Sequence, residues 1–222
     1  MRYGSTLVVL AGGRGSRVGY RFKPILRLGG KPLIVWVLSR LSSIFDEVIV
    51  SVSSDSYRVL LCRVLAEHLK PQLLCKVRFT VDEYFGLPYS NPVLGLYNAI
   101  REVNYMKVFI TGCDMPFLKP QTALKILSKL NRGYEAVVPL WSRGFIEPLS
   151  SGYLLPSLLR LLPRIASLSI KQFRTLYNYM KVYYIPVEEL NVNPYIEFFN
   201  INSLRDLDLA EKILYQTVQN LY

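Results

Sequence analysis

The sequence predicts an α/β fold, a mainly parallel β-sheet with helices on both faces. Three observations carry that expectation. Short runs of β-branched and apolar residues alternate with segments of helical spacing from residue 5 to residue 140. The first run, Ser5 to Leu10, ends in glycines, as a buried strand feeding a functional loop does. The composition, 51% apolar and 19% charged with a mean hydropathy of +0.22, supplies a core without metals or disulfides and excludes a disordered chain.

The elements follow in order. STLVVL (5–10) is a strand, and Pro32 to Leu41 a helix with proline at its start. EVIVSVS (47–53) is a strand, Asp55 caps a helix to about Leu69, and VRFTV (77–81) is a third strand. After a loop with Gly86, Pro88 and Pro92 come a helix to about Val103, the strand KVFITG (107–112), a helix from Pro120 to Leu130 and the strand EAVVPL (135–140). Beyond residue 141 the pattern is less regular, with helical pieces near 154–162 and 169–177 and strands at 181–186 and 196–200. From Ser203, a cap, to about Leu221, apolar residues at 204, 207, 210, 214 and 218 mark a last helix. No repeat, low-complexity tract or linker interrupts the 222 residues, so one domain over 1–222 is expected.

Cys62, Cys75 and Cys113 are an odd number with no CxxC pair, which argues against a disulfide framework or a structural zinc site and for a reducing cytoplasm. The longest uncharged stretch, Tyr84 to Ile100, is broken by Gly86, Pro88, Pro92 and Gly95, so no membrane span is expected. The apolar run after Arg2 meets Gly-Gly-Arg rather than a small-residue cleavage site, so it reads as a core strand and not a leader.

The net charge is +11, and its distribution is informative. Residues 1–45 carry eight basic side chains and no acidic one, while the rest of the chain carries 19 basic and 16 acidic groups. Most of the excess lies in the glycine-rich segment 12–31, a local field suited to a phosphate-bearing ligand rather than a basic coat for nucleic acid. Tyr177, Tyr179, Tyr183 and Tyr184 read as packing rather than as a base-stacking platform, and the single His68 as structural.

The segment LAGGRGSRVGYRFKP follows the first strand, and its glycines at 12, 13, 15 and 19 let backbone N–H groups approach anionic oxygens. Two common phosphate loops fail on spacing. A P-loop places glycine five residues before Gly30, where Ile25 stands, and requires Ser or Thr after Lys31, where Pro32 stands. A dinucleotide fingerprint has two residues between its second and third glycines, whereas three separate Gly15 and Gly19.

The loop resembles instead the signature of nucleotidyltransferases with the nucleotide-diphospho-sugar transferase fold, L-A-G-G-x-x-x-R-M-G-x-x-K followed by L-x-G-K-P-L. The matching residues are Leu10, Ala11, Gly12, Gly13, Arg17, Gly19 and Lys23, then LGGKPL from Leu28 to Leu33. CDMPFL (113–118), NPVLG (91–95) and FFNINSLRDLDLAE (198–211) are similar to motifs of one member family, the molybdenum cofactor guanylyltransferases. The resemblance implies a Rossmann-like three-layer sandwich. It also implies a nucleotide-binding part over 1–118, and an acceptor-binding part with the C-terminal helix over 119–222.

The implied reaction moves GMP from GTP to the phosphate of molybdenum-bound molybdopterin, with Mg²⁺ or Mn²⁺ and release of pyrophosphate. By resemblance, Lys23, Arg17 and Asp114 are catalytic, and Leu10, Ala11, Gly12, Gly13, Arg14, Gly15 and Asp82 join Lys23 and Asp114 around the nucleotide. Asp114, Asn200 and Asn202 would hold the metal; the two asparagines alternate along the expected last strand, so one of them faces it. An acidic residue accepting guanine's adjacent ring N–H and exocyclic amine is implied before NPVLG; Asp82 fits, with Glu83 beside it. Implied partners are GTP, molybdopterin and transiently a molybdoenzyme or cofactor-delivery protein, with no membrane and no nucleic acid.

The chain also departs from the pattern. Val18 stands for Met, Asn91 for Gly, Pro24 follows Lys23, and EPLSSGY (147–153) matches H-P-L-x-A-x-Y loosely. The acceptor therefore stays open between molybdopterin and adenosylcobinamide phosphate or a sugar phosphate. A non-catalytic nucleotide-binding regulator and a basic nucleic-acid-binding protein are the alternatives of other classes.

Overall fold

The computed structural model describes residues 4–12, 22–83, 92–167 and 173–219. In chain order the elements are β1 (Ser5–Leu10), β2 (Arg27–Leu28), β3 (Lys31–Pro32), α1 (Leu33–Leu41), β4 (Glu47–Val52), α2 (Asp55–His68), α3 (Pro71–Leu74), β5 (Val77–Val81) and α4 (Pro92–Ile100). There follow β6 (Lys107–Gly112), α5 (Pro120–Lys129), β7 (Ala136–Leu140), β8 (Ser150–Leu154), α6 (Leu155–Ser167), α7 (Arg174–Tyr177), β9 (Val182–Pro186), α8 (Pro194–Glu197) and α9 (Leu204–Gln219).

Seven of these strands form one sheet in the order β5-β4-β1-β6-β8-β7-β9. Its pairings are parallel except where β8 runs antiparallel to β6 and β7. The side-chain period of a strand sends alternate residues of β1 to opposite faces. Leu7 and Val9 join a cluster with Val35 and Leu38 of α1, Leu61 of α2 and Ile126 of α5. Val8 joins Leu96 of α4 and Leu158 of α6 on the other face. Helices therefore cover both faces, as a buried parallel sheet requires.

The chain runs β1, β4, β5 outward in one direction and then returns to place β6 on the other side of β1. The order reverses between β1 and β6, and the crevice at their carboxyl ends is where open α/β sheets bind ligands.

Three expectations need correction. Residues 196–200 are not a strand: Asn193 caps α8 by accepting from the Tyr195 amide, and Pro194 opens that turn of helix. The cap of α2 is Ser54, whose side chain accepts from the Tyr57 amide, and Asp55 is the first helical residue. The strand β8 was not among the expected elements, because SSGYL lacks the β-branched run that marks its neighbours. It tolerates small residues because α5 packs directly on it: a Cβ at Gly152 would lie 3.0 Å from Ile126 Cγ2.

Candidate active site at the strand switch point

The β1 end, the β6 end and the segment before α9 meet here. Ala11 N–H donates to the Ser51 carbonyl and Cys113 N–H to the Leu10 carbonyl, so the loops after β1, β4 and β6 are knitted at their first residues. The Ile201 N–H donates to the Asp114 carbonyl at 3.0 Å, bringing in the segment that carries Asn202.

Lys23 sits at the start of a 3₁₀ turn, Lys23–Ile25, with Pro24 fixing its φ. The preceding Phe22 stacks on Tyr57 of α2 with ring centroids 3.8 Å apart and planes 4° from parallel, anchoring the turn by about 0.5–1.5 kcal/mol beyond simple burial. After the turn, β2 and β3 form a hairpin whose central residues, Gly29 (φ 55°) and Gly30 (φ 75°), both take the left-handed conformation a two-residue turn requires. A third apolar cluster, with Leu26, Leu28, Leu33, Phe117, Ile201 and Ala210 buried, lies behind the site. Leu26, Phe117 and Ile201 are each within three residues of Lys23, Asp114 or Asn202. Packing that tolerates little change in volume thus holds all three polar residues.

At the centre, Lys23 Nζ donates to Asp114 Oδ2 and to Asn202 Oδ1, each at 2.8 Å. The Lys23 and Asp114 side chains are 16% and 15% exposed, so the pair is largely withdrawn from water yet open on one side. Residues 91 and 179 positions apart converge on one ammonium group. Two hard oxygens already directed at a cation are the donor set Mg²⁺ or Mn²⁺ prefers. Of the two asparagines, Asn202 faces the cation, while Asn200 Oδ1 is buried without a hydrogen-bond partner among the described residues.

Two residues that the sequence reading did not single out position this centre. Gly112 ends β6, and a Cβ there would lie 2.3 Å from Asp114 Oδ1, so the carboxylate folds back over a space only glycine leaves. Asp206 accepts from the Asn202 and Ser203 amides and from Ser203 Oγ, while its own amide donates to Ser203 Oγ. This reciprocal cap of α9 fixes Asn202, and the S-x-x-D spacing just before the apolar run was its signal in the sequence. Further back, the buried Glu197 accepts from the Lys119 amide and Thr122 Oγ, tying α8 to the start of α5.

Burial alone would raise the Asp206 carboxyl, but hydrogen bonds from Ser203 and the Asn202 amide, with the nearby Lys23 charge, hold it below its ordinary value. Its ionised form is favoured in the folded state, so its stabilisation is full above the ordinary aspartate value and fades as pH falls through the lower folded-state value. Asp206→Ala is expected to lower the unfolding free energy at neutral pH by about 1 kcal/mol. The difference from the wild type should shrink on acidification below about pH 4, measured by urea unfolding across pH.

Asp82 follows β5 with its amide bonded to the Val52 carbonyl, and its Oδ1 accepts from Ser51 Oγ at 3.1 Å. A Cβ at Gly95 of α4 would meet Ser51 Oγ at 2.9 Å, Asp82 Oδ1 at 3.5 Å and Leu10 at 3.7 Å. These four residues converge beside the β1 end, in a space closed by glycine. Gly13, Arg14, Gly15, Arg17 and Asn91 lie outside the described residues. Burial, and next the Asp114 charge, push the Cys113 thiol well above its ordinary value, so it packs as an apolar residue rather than reacting. His68 is exposed at the end of α2 with its ring nitrogen 2.9 Å from the Val64 carbonyl, and Tyr153 and Tyr177 share a buried hydroxyl contact of 2.8 Å.

A family model described as a MobA-like NTP transferase domain matches residues 7–180. The chain is 31% identical over 207 residues to a probable molybdenum cofactor guanylyltransferase of Thermococcus gammatolerans, covering 92% of this chain and 97% of that protein. A protein of the same description from Methanosarcina mazei is 29% identical over 206 residues, covering 90% and 87%. The crystal structure of molybdopterin-guanine dinucleotide biosynthesis protein A from Archaeoglobus fulgidus superposes with a TM-score of 0.79 at 27% identity, covering 95% of this chain and 99% of that one.

Proposed function

The chain belongs to the MobA-like NTP transferase family, and from that membership we propose that it transfers GMP from GTP to the phosphate of molybdenum-bound molybdopterin, releasing pyrophosphate. The observation that carries the reading is the Lys23 ammonium held between Asp114 and Asn202 at the switch point, in a chain whose glycine-rich segment 12–31 carries high positive charge in its sequence. Such a centre suits a triphosphate: one mobile cation for the leaving phosphates and two oxygens for a divalent metal.

The acceptor's phosphate monoester has a second pKa of about 6 and is largely dianionic at neutral pH, so it attacks the α-phosphorus without a strong general base. Catalysis then rests on alignment and charge neutralisation. Lys23 exchanges Asp114 for the β- and γ-phosphates, and the amides from Gly12 to Gly15 with Arg14 and Arg17 hold the departing pyrophosphate. Asp114 and Asn202 would hold Mg²⁺, with Mn²⁺ as a substitute. When bound, such a cation supplies charge neutralisation on the triphosphate. Leu10 and Ala11 border the base. Residues 1–118 serve the nucleotide and 119–222 the acceptor; three free cysteines fit a cytoplasmic setting, from which product passes by transient contact to a delivery protein or molybdoenzyme.

Asp82, oriented by Ser51, accepts guanine's paired donors. Asp82→Asn is expected to raise the KM for GTP about ten- to a hundredfold, with kcat at saturation changing less, because a charge-assisted pair is lost in binding. Gly112→Ala should lower kcat by about 10²-fold while the thermal midpoint stays within a few degrees, since displacing an aligned carboxylate by an ångström has that effect. Steady-state pyrophosphate release with circular dichroism melts checks both.

The assay for the whole reading supplies Mg²⁺, each of GTP, CTP, ATP and UTP, and molybdopterin, adenosylcobinamide phosphate or a sugar phosphate. Pyrophosphate release from GTP with molybdopterin is the expected result. Release only with another acceptor, or GTP binding without turnover, removes it.

A further inference from the structure

On the far side of β6 from the nucleotide loops, β7 and β8 are joined by residues 141–149. The connection is tightly built: Trp141 N–H donates to the Phe145 carbonyl, Gly144 N–H to the Trp141 carbonyl, and Glu147 N–H to the Pro139 carbonyl. Leu140 and Ile146 form an antiparallel bridge, so Ile146 and Glu147 point to opposite faces. Ile146 packs with the cluster under α4 and α6. Glu147 instead meets Trp141, whose indole Nε1–H donates to Glu147 Oε1 at 2.8 Å.

Two chains of contact lead from this connection to the segments that carry Asp114 and Asn202. Ser150 Oγ lies 3.2 Å from the sulfur of Met115, the neighbour of Asp114, and Ser150 pairs with Thr111 of β6. The Trp141 ring meets Phe198 edge-on at 6.1 Å and Tyr195 at 5.2 Å, and Phe198 begins the segment that carries Asn202. From β6 to β7 is two strand spacings, about 10 Å.

Beside a centre that gathers phosphates, a carboxylate repels the anionic part of any ligand. What it attracts is a pair of neighbouring N–H donors. Its one described donor, the indole, uses one of about four acceptor sites and fixes the plane of the group, leaving sites on both oxygens. Burial raises the Glu147 carboxyl above its ordinary value and the Trp141 hydrogen bond only partly offsets this, as for a carboxylate still short of donors. The aromatic residues beside it suit a flat heterocycle.

We propose that Glu147, oriented by Trp141, binds the amino-oxo-pyrimidine edge of the acceptor's pterin and thereby selects a pterin acceptor. The assignment rests on the guanylyltransferase reading and deepens it: the chain would use two carboxylates, Asp82 and Glu147, for the same donor edge on guanine and on pterin. Glu147 stands where the resembling motif has His.

Two measurements on the full chain test it. With molybdopterin as acceptor, Glu147→Gln is expected to raise the acceptor KM about ten- to a hundredfold and leave the KM for GTP unchanged. Independently of turnover, tryptophan fluorescence should show the wild type binding hydroxymethylpterin about tenfold more tightly than its lumazine counterpart, in which an oxo group replaces the amine. Glu147→Gln should abolish that preference. Arg174→Ala is the comparison, because Arg174 lines the cleft of about 350 Å³ bounded by Leu140 and Ile146. A pterin preference that is absent in the wild type, or that survives in Glu147→Gln, overturns the proposal. So does an acceptor KM that moves in Arg174→Ala and not in Glu147→Gln. A wild type inactive with molybdopterin would remove the parent reading, while the pteridine titration would still judge Glu147.

Discussion

Lys23→Met is expected to lower pyrophosphate release by about 10²–10³-fold, the effect of deleting one pre-aligned charge from a site that stabilises developing charge. Methionine keeps the apolar stem and removes only the ammonium group. In the free protein that group is shared by Asp114 and Asn202, so its deletion also leaves Asp114 largely withdrawn from water without its cation. Stability and rate can be separated on this point. If the pair matters mainly to the fold, Lys23→Met combined with Asp114→Asn should recover much of any loss in the thermal midpoint, because neither charge is then left alone. Activity should not recover. Lys23→Arg is expected to remain poor, since a planar guanidinium does not occupy the place of a compact ammonium group between two oxygens 2.8 Å away.

Asp114→Asn is expected to reduce kcat by about 10³-fold or more, because the proposed divalent cation would lose the charged oxygen that Asp114 offers it. The metal requirement discriminates this from a general distortion. Raising Mn²⁺ should recover part of the activity of Asp114→Asn and none of that of Lys23→Met. Gly112→Ala, which displaces the same carboxylate without removing its charge, should fall between them in metal dependence. If all three variants lost activity in parallel with their melting temperatures and showed the wild-type metal dependence, Asp114 would be a structural partner of Lys23 and nothing more.

The part of the fold legible in the sequence is the part where local preference and burial agree. STLVVL and KVFITG are runs that suit a buried strand, and they and the half-exposed edge strand VRFTV appear with the expected boundaries. The segment IEFFN (196–200) has strand-like composition, while Asn193 and Pro194 form a helix start whose local geometry overrides it. The strand β8 escaped because its place in the sheet is set by α5 and by its two antiparallel neighbours, and its own side chains carry little preference. At the site, the resemblance of the motifs pointed to Lys23, Asp114 and the two asparagines, but choosing Asn202 over Asn200 depends on Asp206 and on the Ile201–Asp114 backbone bond. Those contacts join residues far apart in sequence. The Trp141–Glu147 pair is local, yet its meaning depends on β8 lying next to β6, a pairing with no signal in the residues themselves.

The most direct test of the central claim is a crystal of the protein with Mn²⁺ and a GTP analogue whose bridge between the α- and β-phosphates cannot be cleaved. Anomalous scattering should place the metal on Asp114 and the α-phosphate, with Lys23 moved off Asp114 onto the terminal phosphates and Asp82 at the guanine edge. A metal bound elsewhere, or an unbroken Lys23–Asp114 contact beneath a bound nucleotide, would contradict the account.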